Sequence, residues 1–471
     1  MSPSEVTVVT TRAPAPAPRA GRGRTRGTRR RRFRHAGAGT AAVLALCLTV
    51  ACGGGDSGDG DAVTELPDLT GKTVQVAAVW TGSEQQNFKK ALKEFEERTG
   101  AEVEFVPTGD NVSSFLSSRI EDGAPPDVAM LPQVGVLQQF AEKGWLKPVD
   151  DATYRQMLMN LETGWHDLGA HEGTTYGVYF KAANKSLVWY NTAAFEKAGA
   201  SEPKTWKDFL DTAQRLADSG VDPVSVGGAD GWTLTDWFEN IYLSQAGPDT
   251  YDRLAAHEIP WTDPSVEKAL TTLGDLFGEE QLLAGGNDGA RATAFPESVT
   301  KTFADLDDPE AAMVYEGDFV GVNITNDTDA ELGTDAKLFP FPAVGGGQPP
   351  VVTGGDAAVA LKHSPGAHAM MTFLASEDAA RIMAEQGGFL SPNKSLDTAT
   401  YPSDLQREIA KALLDAGSTF RFDMSDQAPA AFGGTKGEGE WKALQDFLDN
   451  PDDVAGAMLA LEDSAAKAFD D

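Results

Sequence analysis

Residues 73–100, TVQVAAVWTGSEQQNFKKALKEFEERTG, decide the fold. Thr73 to Trp80 is a short apolar run with β-branched residues, which predicts a buried strand. Ser83-Glu84-Gln85-Gln86 follows as an S-x-x-Q capping box, so a helix is expected to start at Ser83, with Ser83 and Gln86 satisfying each other's amides. Phe88, Leu92 and Phe95 recur at i, i+4 and i+7 on one helical face, and Gly100 offers the C-terminal cap. A strand feeding an amphipathic helix in this way begins a βαβ unit.

Moving outward, Val103 to Val106 reads as a second strand, Phe115 to Ile120 as part of a helix, Pro126 to Leu131 as a third strand and Gly135 to Phe140 as the next helix. Strand and helix alternating every ~25 to 30 residues argue for an α/β fold with a mainly parallel sheet covered on both faces. The ligand crevice of such a sheet lies at the carboxyl ends of its strands, here Trp80-Thr81-Gly82, Pro107 to Asp110 and Pro132-Gln133. Tyr176 to Asn191 is extended and aromatic. Thr205-Trp206-Lys207-Asp208 then caps a helix carrying Phe209, Leu210, Ala213 and Leu216, which opens a second α/β unit. Trp232 to Leu243, Asp263-Pro264 to Phe277, Ser364-Pro365 to Ser376 and Asp378 to Gln386 read as helices. Val351-Val352 and Ala357 to Leu361 read as strands flanking Gly354-Gly355. There is no internal repeat.

Charge separates the front of the chain from the rest. Residues 1–51 hold ten Arg and one acid, Glu5, so that segment carries +9 and the other 420 residues carry −41 of the net −32. A body that acidic repels phosphate backbones and anionic headgroups, which argues against nucleic-acid binding. Arg29 to Arg32 and Arg34 precede an Ala/Leu-rich run from Ala36 to Ala51, the pattern of an export signal spanning 1–51. That run is short of the ~20 apolar residues of a bilayer-spanning helix. Leu48-Thr49-Val50-Ala51-Cys52 resembles a bacterial lipobox, with Thr49 where an aliphatic residue is commoner, so Cys52 is the expected lipidation site. Arg30-Arg31-Arg32-Phe33 also resembles a twin-arginine motif, and the choice of export route stays open. Residues 52–67 are then a lipidated flexible tether, with an r.m.s. reach of about 20 Å for its ~14 acidic, Gly-rich residues. After cleavage no pair of cysteines remains for a disulfide.

From about Lys72 onward the order of pieces is similar to that of the family 1 extracellular solute-binding proteins of carbohydrate ABC importers. The pieces are the opening strand, Trp80 and its helix; Pro125-Pro126-Asp127-Val128 with Gly144-Trp145-Leu146-Lys147-Pro148-Val149; Val188-Trp189-Tyr190-Asn191 with Phe195-Glu196-Lys197-Ala198-Gly199; Pro203 to Asp208; Met313 to Gly317; Pro340-Phe341-Pro342; Gly354-Gly355; and Ser391-Pro392-Asn393. Among these receptors the chain looks most like the alpha-glucoside-binding ones. The resemblance implies a two-lobe periplasmic-binding-protein-like fold of type II with the ligand cleft between lobes. By order of motifs, residues 68–182 plus 345–388 would form the N-terminal lobe and 186–340 plus 389–471 the C-terminal lobe. It implies a monomer without cofactor or metal, lipid-anchored at the outer face of the cell membrane, that hands a carbohydrate ligand to membrane permease subunits and catalyses no reaction.

A sugar offers apolar C–H faces and a rim of hydroxyls, so its site needs flat aromatic surfaces and paired polar groups. Trp80, Glu84, Asp110 and Gln133 follow the first three strands, and Trp232, Asp236 and Trp237 sit in a Gly- and Asp-rich approach to a helix. Glu316 and Phe319 match a stretch where the family often places an aromatic, commonly Trp, under the sugar. Gly354, Gly355, Asp356 and the possible polar clamp Arg421 complete the candidates. Each has a bland alternative: a Trp entering a helix is often core, and a carboxylate in so acidic a chain is usually solvated. Trp206 and Trp145 read as core. A polyol or polyamine ligand stays open, as does a glycoside hydrolase, which needs only two carboxylates at ~5 to 9.5 Å. Nothing marks such a pair. The His residues lack metal-binding spacing, and P-loop, GxGxxG and GxSxG motifs are missing.

Overall fold

The computed structural model describes residues 66–470 except 110, 388 and 417–419. The export signal, Cys52 and all but Leu66 and Pro67 of the tether lie outside the described residues, as does Asp110. The two main sheets are built from β1 Thr73–Ala78, β2 Glu102–Pro107, β3 Val128–Leu131, β4 Gly177–Asn184, β5 Leu187–Asn191, β6 Val224–Ser225, β7 Met313–Glu316, β8 Ala336–Pro340, β9 Val352–Ala360 and β10 Arg421–Phe422. The helices that shape the cleft are α1 Gly82–Thr99, α2 Val134–Glu142, α3 Trp206–Asp218, α4 Trp232–Ala246, α5 Val320–Asp327 and α6 Met424–Gln427.

The first sheet has six strands in the order β10-β9-β3-β1-β2, with β4 also paired to β9. β1 runs parallel to β2 and β3, as the βαβαβ reading requires, while β9 is antiparallel to β3 and β4. The second sheet, β8-β5-β7-β6, is largely antiparallel, with only β6 parallel to β7. The expectation of a mainly parallel sheet therefore holds for the opening unit alone.

Three local readings are corrected. The extended stretch 176–191 is two strands in different sheets, separated only by Lys185-Ser186. Gly354-Gly355 does not separate two strands but lies inside the continuous β9, whose pairing with β4 shifts register between Asp356 and Ala357. The capping box at Ser83 does not form: α1 is capped at Thr81 with no side-chain bond, and Gly82 enters it at φ 51. The amides that a capping side chain would have covered are left at the end of α1.

One apolar core fills the first sheet around Val76, Phe88, Met130, Leu137, Val359 and Phe373; another surrounds the second lobe's helices through Phe209, Trp237, Phe238, Leu270 and Leu444. The first core also takes in Trp189, Val320, Ile324, Phe389, Leu390 and Ile409, so apolar packing is continuous across the seam. The motif order puts residues 389–471 in the second lobe, but β10 pairs with Val352-Thr353 of the first sheet. The chain thus crosses back at Asp423, whose amide donates to the Thr353 carbonyl at 2.8 Å.

Candidate functional site

A cavity of about 330 Å³ opens where the carboxyl end of β1 and the start of α1 face the second lobe. Its first wall carries Trp80, Glu84, Gln133, Lys181, Gly355 and Asp356; the opposite wall carries Asp230, Trp232, Phe295, Phe319, Asp426 and Trp441. Trp80 is fixed edge-on to Phe88 at 4.8 Å, and Trp232 packs on Phe295 at 5.3 Å and Phe319 at 6.1 Å. Thr81, Gly82 and Ser83 also line the cavity, so the uncapped end of α1 faces it. Orphan amide donors at a helix start favour an electronegative oxygen there.

The candidate residues separate by environment. Trp80, Glu84, Gln133, Trp232, Phe319, Gly355 and Asp356 line the cavity. Trp237 does not: it is 1% exposed and packs against Trp206, Phe209, Tyr315 and Phe341 in the second core. Trp206 and Trp237 are both core; α4 is buried from Thr233 to Ser244, so this face had no solvent side to mark it. Asp236 and Glu316 lie behind the wall, at 0% and 1% exposure. Gly354 makes room for Lys185, whose Cε would lie 2.9 Å from a Cβ at that position. Arg421 is no clamp on the cavity, since its guanidinium turns to Asp252 at 2.6 Å.

Two lysines on β4 and its exit organise the charge, and the sequence reading passed over both. Lys181 donates to Glu84 at 2.7 Å and lies 4.0 Å from Asp356, between the rings of Trp80 (5.5 Å) and Phe319 (5.7 Å). Burial would lower its pKa, but Glu84 and Asp356 outweigh burial and hold it above the ordinary lysine value. Lys185 donates to Asp423 and, at 3.2 Å, to Asp236; Asp426 is 3.6 Å away and the Trp232 ring 5.5 Å. Burial pulls Lys185 down too, and Asp236, Asp423 and Asp426 raise it well above its usual range. The signal was available: Lys181 sits within the apolar run Gly177 to Ala183 and Lys185 just past its end, and Lys is almost never fully buried unless paired.

The carboxyl groups respond unequally. Burial pushes Asp356 up to about 6 against the pull of Lys181, and Asp318 up to about 7 against the Asn184 amide. It pushes Glu316 up to about 8 against the pull of Asp236 and Lys185, and neither of its oxygens has a donor at bonding distance among the described residues. Asp426 is raised well above the carboxylate range by burial and Asp423. Asp423 goes the other way, because Lys185 and its hydrogen bonds overcome burial. Among the described residues no group of three or more His, Cys, Asp or Glu could hold a metal ion, and no helix is long and apolar enough to cross a membrane. The arrangement offers ring faces, acceptors and two fixed ammonium groups to a small polar solute.

Comparison with known proteins gives the lineage of this arrangement. The family model for bacterial extracellular solute-binding proteins matches residues 81–381. The chain is 35% identical over 392 residues to the osmoprotective compounds-binding protein GgtB of Synechocystis, covering 82% of this chain and 90% of the relative. It is 31% identical over 413 residues to the alpha-glucosides-binding periplasmic protein AglE of Rhizobium meliloti, covering 84% and 88%. The fold superposes on the bacterial solute receptor AcbH, described as having an exclusive preference for b-D-galactopyranose, with a TM-score of 0.73 at 21% identity, covering 84% of this chain and 99% of that one.

Proposed function

The chain belongs to the bacterial extracellular solute-binding proteins, and from that membership we propose that it is the receptor of an ABC importer for a small saccharide, an alpha-glucoside first of all. The observation that carries this reading is the cavity itself, with Trp80 on one wall, Trp232 and Phe319 on the other, and carboxylates between them. Ring faces take the apolar side of a pyranose, and the carboxylates and Gln133 take its hydroxyls. Because the contacts come from both lobes, a bound sugar favours the closed arrangement by its extra affinity for it. The closed form then docks on membrane permease subunits. Cys52 carries the lipid and residues 52–67 the tether, which keep the receptor, a monomer, at the outer face of the membrane. The protein binds and does not turn over its ligand.

A second reading within the same class is a glycosylated polyol. It is favoured by the greater identity to the osmoprotectant-binding relative and by a volume near the lower end of the ~300 to 1,000 Å³ usual for ligand sites.

The test is a thermal-shift screen of the purified full-length chain against mono- and oligosaccharides, glycosylated polyols, polyols, polyamines and amino acids, with product analysis of every hit. A saccharide or glycosylated polyol at 100 times its Kd should add about 2.7 kcal/mol and be recovered intact. A response confined to polyamines or amino acids would sink the carbohydrate reading, and a consumed saccharide would make the protein a hydrolase.

A further inference from the structure

The solute cavity does not end at its own walls. A neck of about 10 Å³, bounded by Met383 and Phe389, separates it from an outer cavity of about 570 Å³. The neck shares Trp80, Glu84 and Lys181 with the inner cavity, and Asn87 and Gly387 with the outer one; among the described residues Val322 alone lines all three. A space of that size has room for about one water molecule and none for a sugar ring.

Two helices carry the path from one cavity to the other. On α5, Phe319 at the N-terminal cap lines the inner cavity, Val322 the neck and Asn326 the outer cavity, and steps of three and four residues put them on one helical face. Opposite them, Glu84, Asn87 and Lys90 follow at three-residue steps along α1. Seven residues of helix advance about 10 Å, so the outer cavity continues the inner one at that distance beyond Phe319.

The two cavities differ in kind. The inner one carries the rings of Trp80, Trp232, Phe295, Phe319 and Trp441, and no aromatic residue lines the outer one among the described residues. The outer cavity has instead the side-chain amides of Asn87, Asn326, Gln386 and Gln406, which both donate and accept, as sugar hydroxyls require. The buried Oε1 of Gln406 has no donor among the described residues, so an acceptor stands open on that side. Between the rings and the amides stands an apolar side chain, Val322, that is 4% exposed.

Resting on the saccharide-receptor reading, we infer that Val322 sets the length of the solute: it closes the inner cavity behind Phe319, so the protein takes a short glycoside and the amide-lined cavity is withheld from a further sugar unit. Val322 thus acts as a specificity residue by exclusion. Trimming it to Ala widens the one point at which all three spaces meet.

The experiment is calorimetric titration of the purified full-length chain with α-linked glucose di- and trisaccharides. V322A should raise trisaccharide affinity relative to disaccharide affinity by about tenfold, as one or two added hydrogen bonds supply, and adding N326A to V322A should take most of that gain away. N326A alone tests the closed neck without touching Val322, and decides the matter if V322A proves unstable: it should leave both affinities as they were. An unchanged ratio in a folded V322A, or a trisaccharide weakened by N326A alone, would overturn the length inference and leave the saccharide receptor standing. Failure of both saccharides to bind the parent chain and V322A alike would overturn both.

Discussion

Trp232 and Trp237 begin the same helix five residues apart and have opposite fates. Five residues turn a helix by about 140°, so one indole reaches the cavity while the other enters the core. Trp232→Ala should therefore cost about 2 kcal/mol or more in solute affinity with little change in melting temperature. Trp237→Ala should cost about 3–5 kcal/mol of folding stability; calorimetric titration and urea denaturation of the two variants separate the effects. Glu316 makes a different prediction. Its pKa is raised by burial to about 8, so the native state holds a proton that the unfolded chain releases from about pH 4 upward. Stability then falls as pH rises between those values. Glu316→Gln removes that fall: in urea denaturation it should match the parent near pH 5 and exceed it at pH 8. The carboxylates could be named from sequence, but not their environments, because a Glu three residues before the partly exposed Phe319 has no mark distinguishing a lining residue from one sealed behind the wall.

At the scale of elements, punctuation was legible where a side chain does the capping. Thr205 accepts the Asp208 amide at 3.2 Å, and Asp263-Pro264 opens a helix that runs to Phe277, as their sequences announce. Ser83 carries the same signature without the bond, because the backbone turns at Gly82 and begins the helix one residue earlier. Thr205→Ala should accordingly cost about 1 kcal/mol, whereas Ser83→Ala should stay within about 0.5 kcal/mol, both measured by denaturant unfolding. The strands were harder. Gly354-Gly355 reads as a break, yet β9 passes through it because the missing side chains admit Lys185 on one side and the Lys181 carbonyl, 2.6 Å from a Cβ at Gly355, on the other. That requirement comes from neighbours some 170 positions away, which no local pattern contains.

Across the whole molecule, the order of motifs was enough to give the family and two lobes, while strand direction in the second sheet and the return of β10 to the first were not legible. Pairing partners are set by tertiary contacts, and the short β6 and β10 carry too few residues for a period to register. A bound saccharide should make the molecule more compact: small-angle scattering is expected to give a smaller radius of gyration with ligand, and an unchanged value would count against lobe closure. Lys185-Ser186 bears on how such a motion can proceed. The two residues join the sheets directly, pinned by the Lys185 amide on the Val352 carbonyl at 2.9 Å and the Phe341 amide on the Ser186 carbonyl at 2.8 Å. A joint that short permits turning but very little sliding. Each lobe is a lever with its fulcrum at the cavity floor, so a small angle set beside Lys185 becomes a large excursion at the far rims.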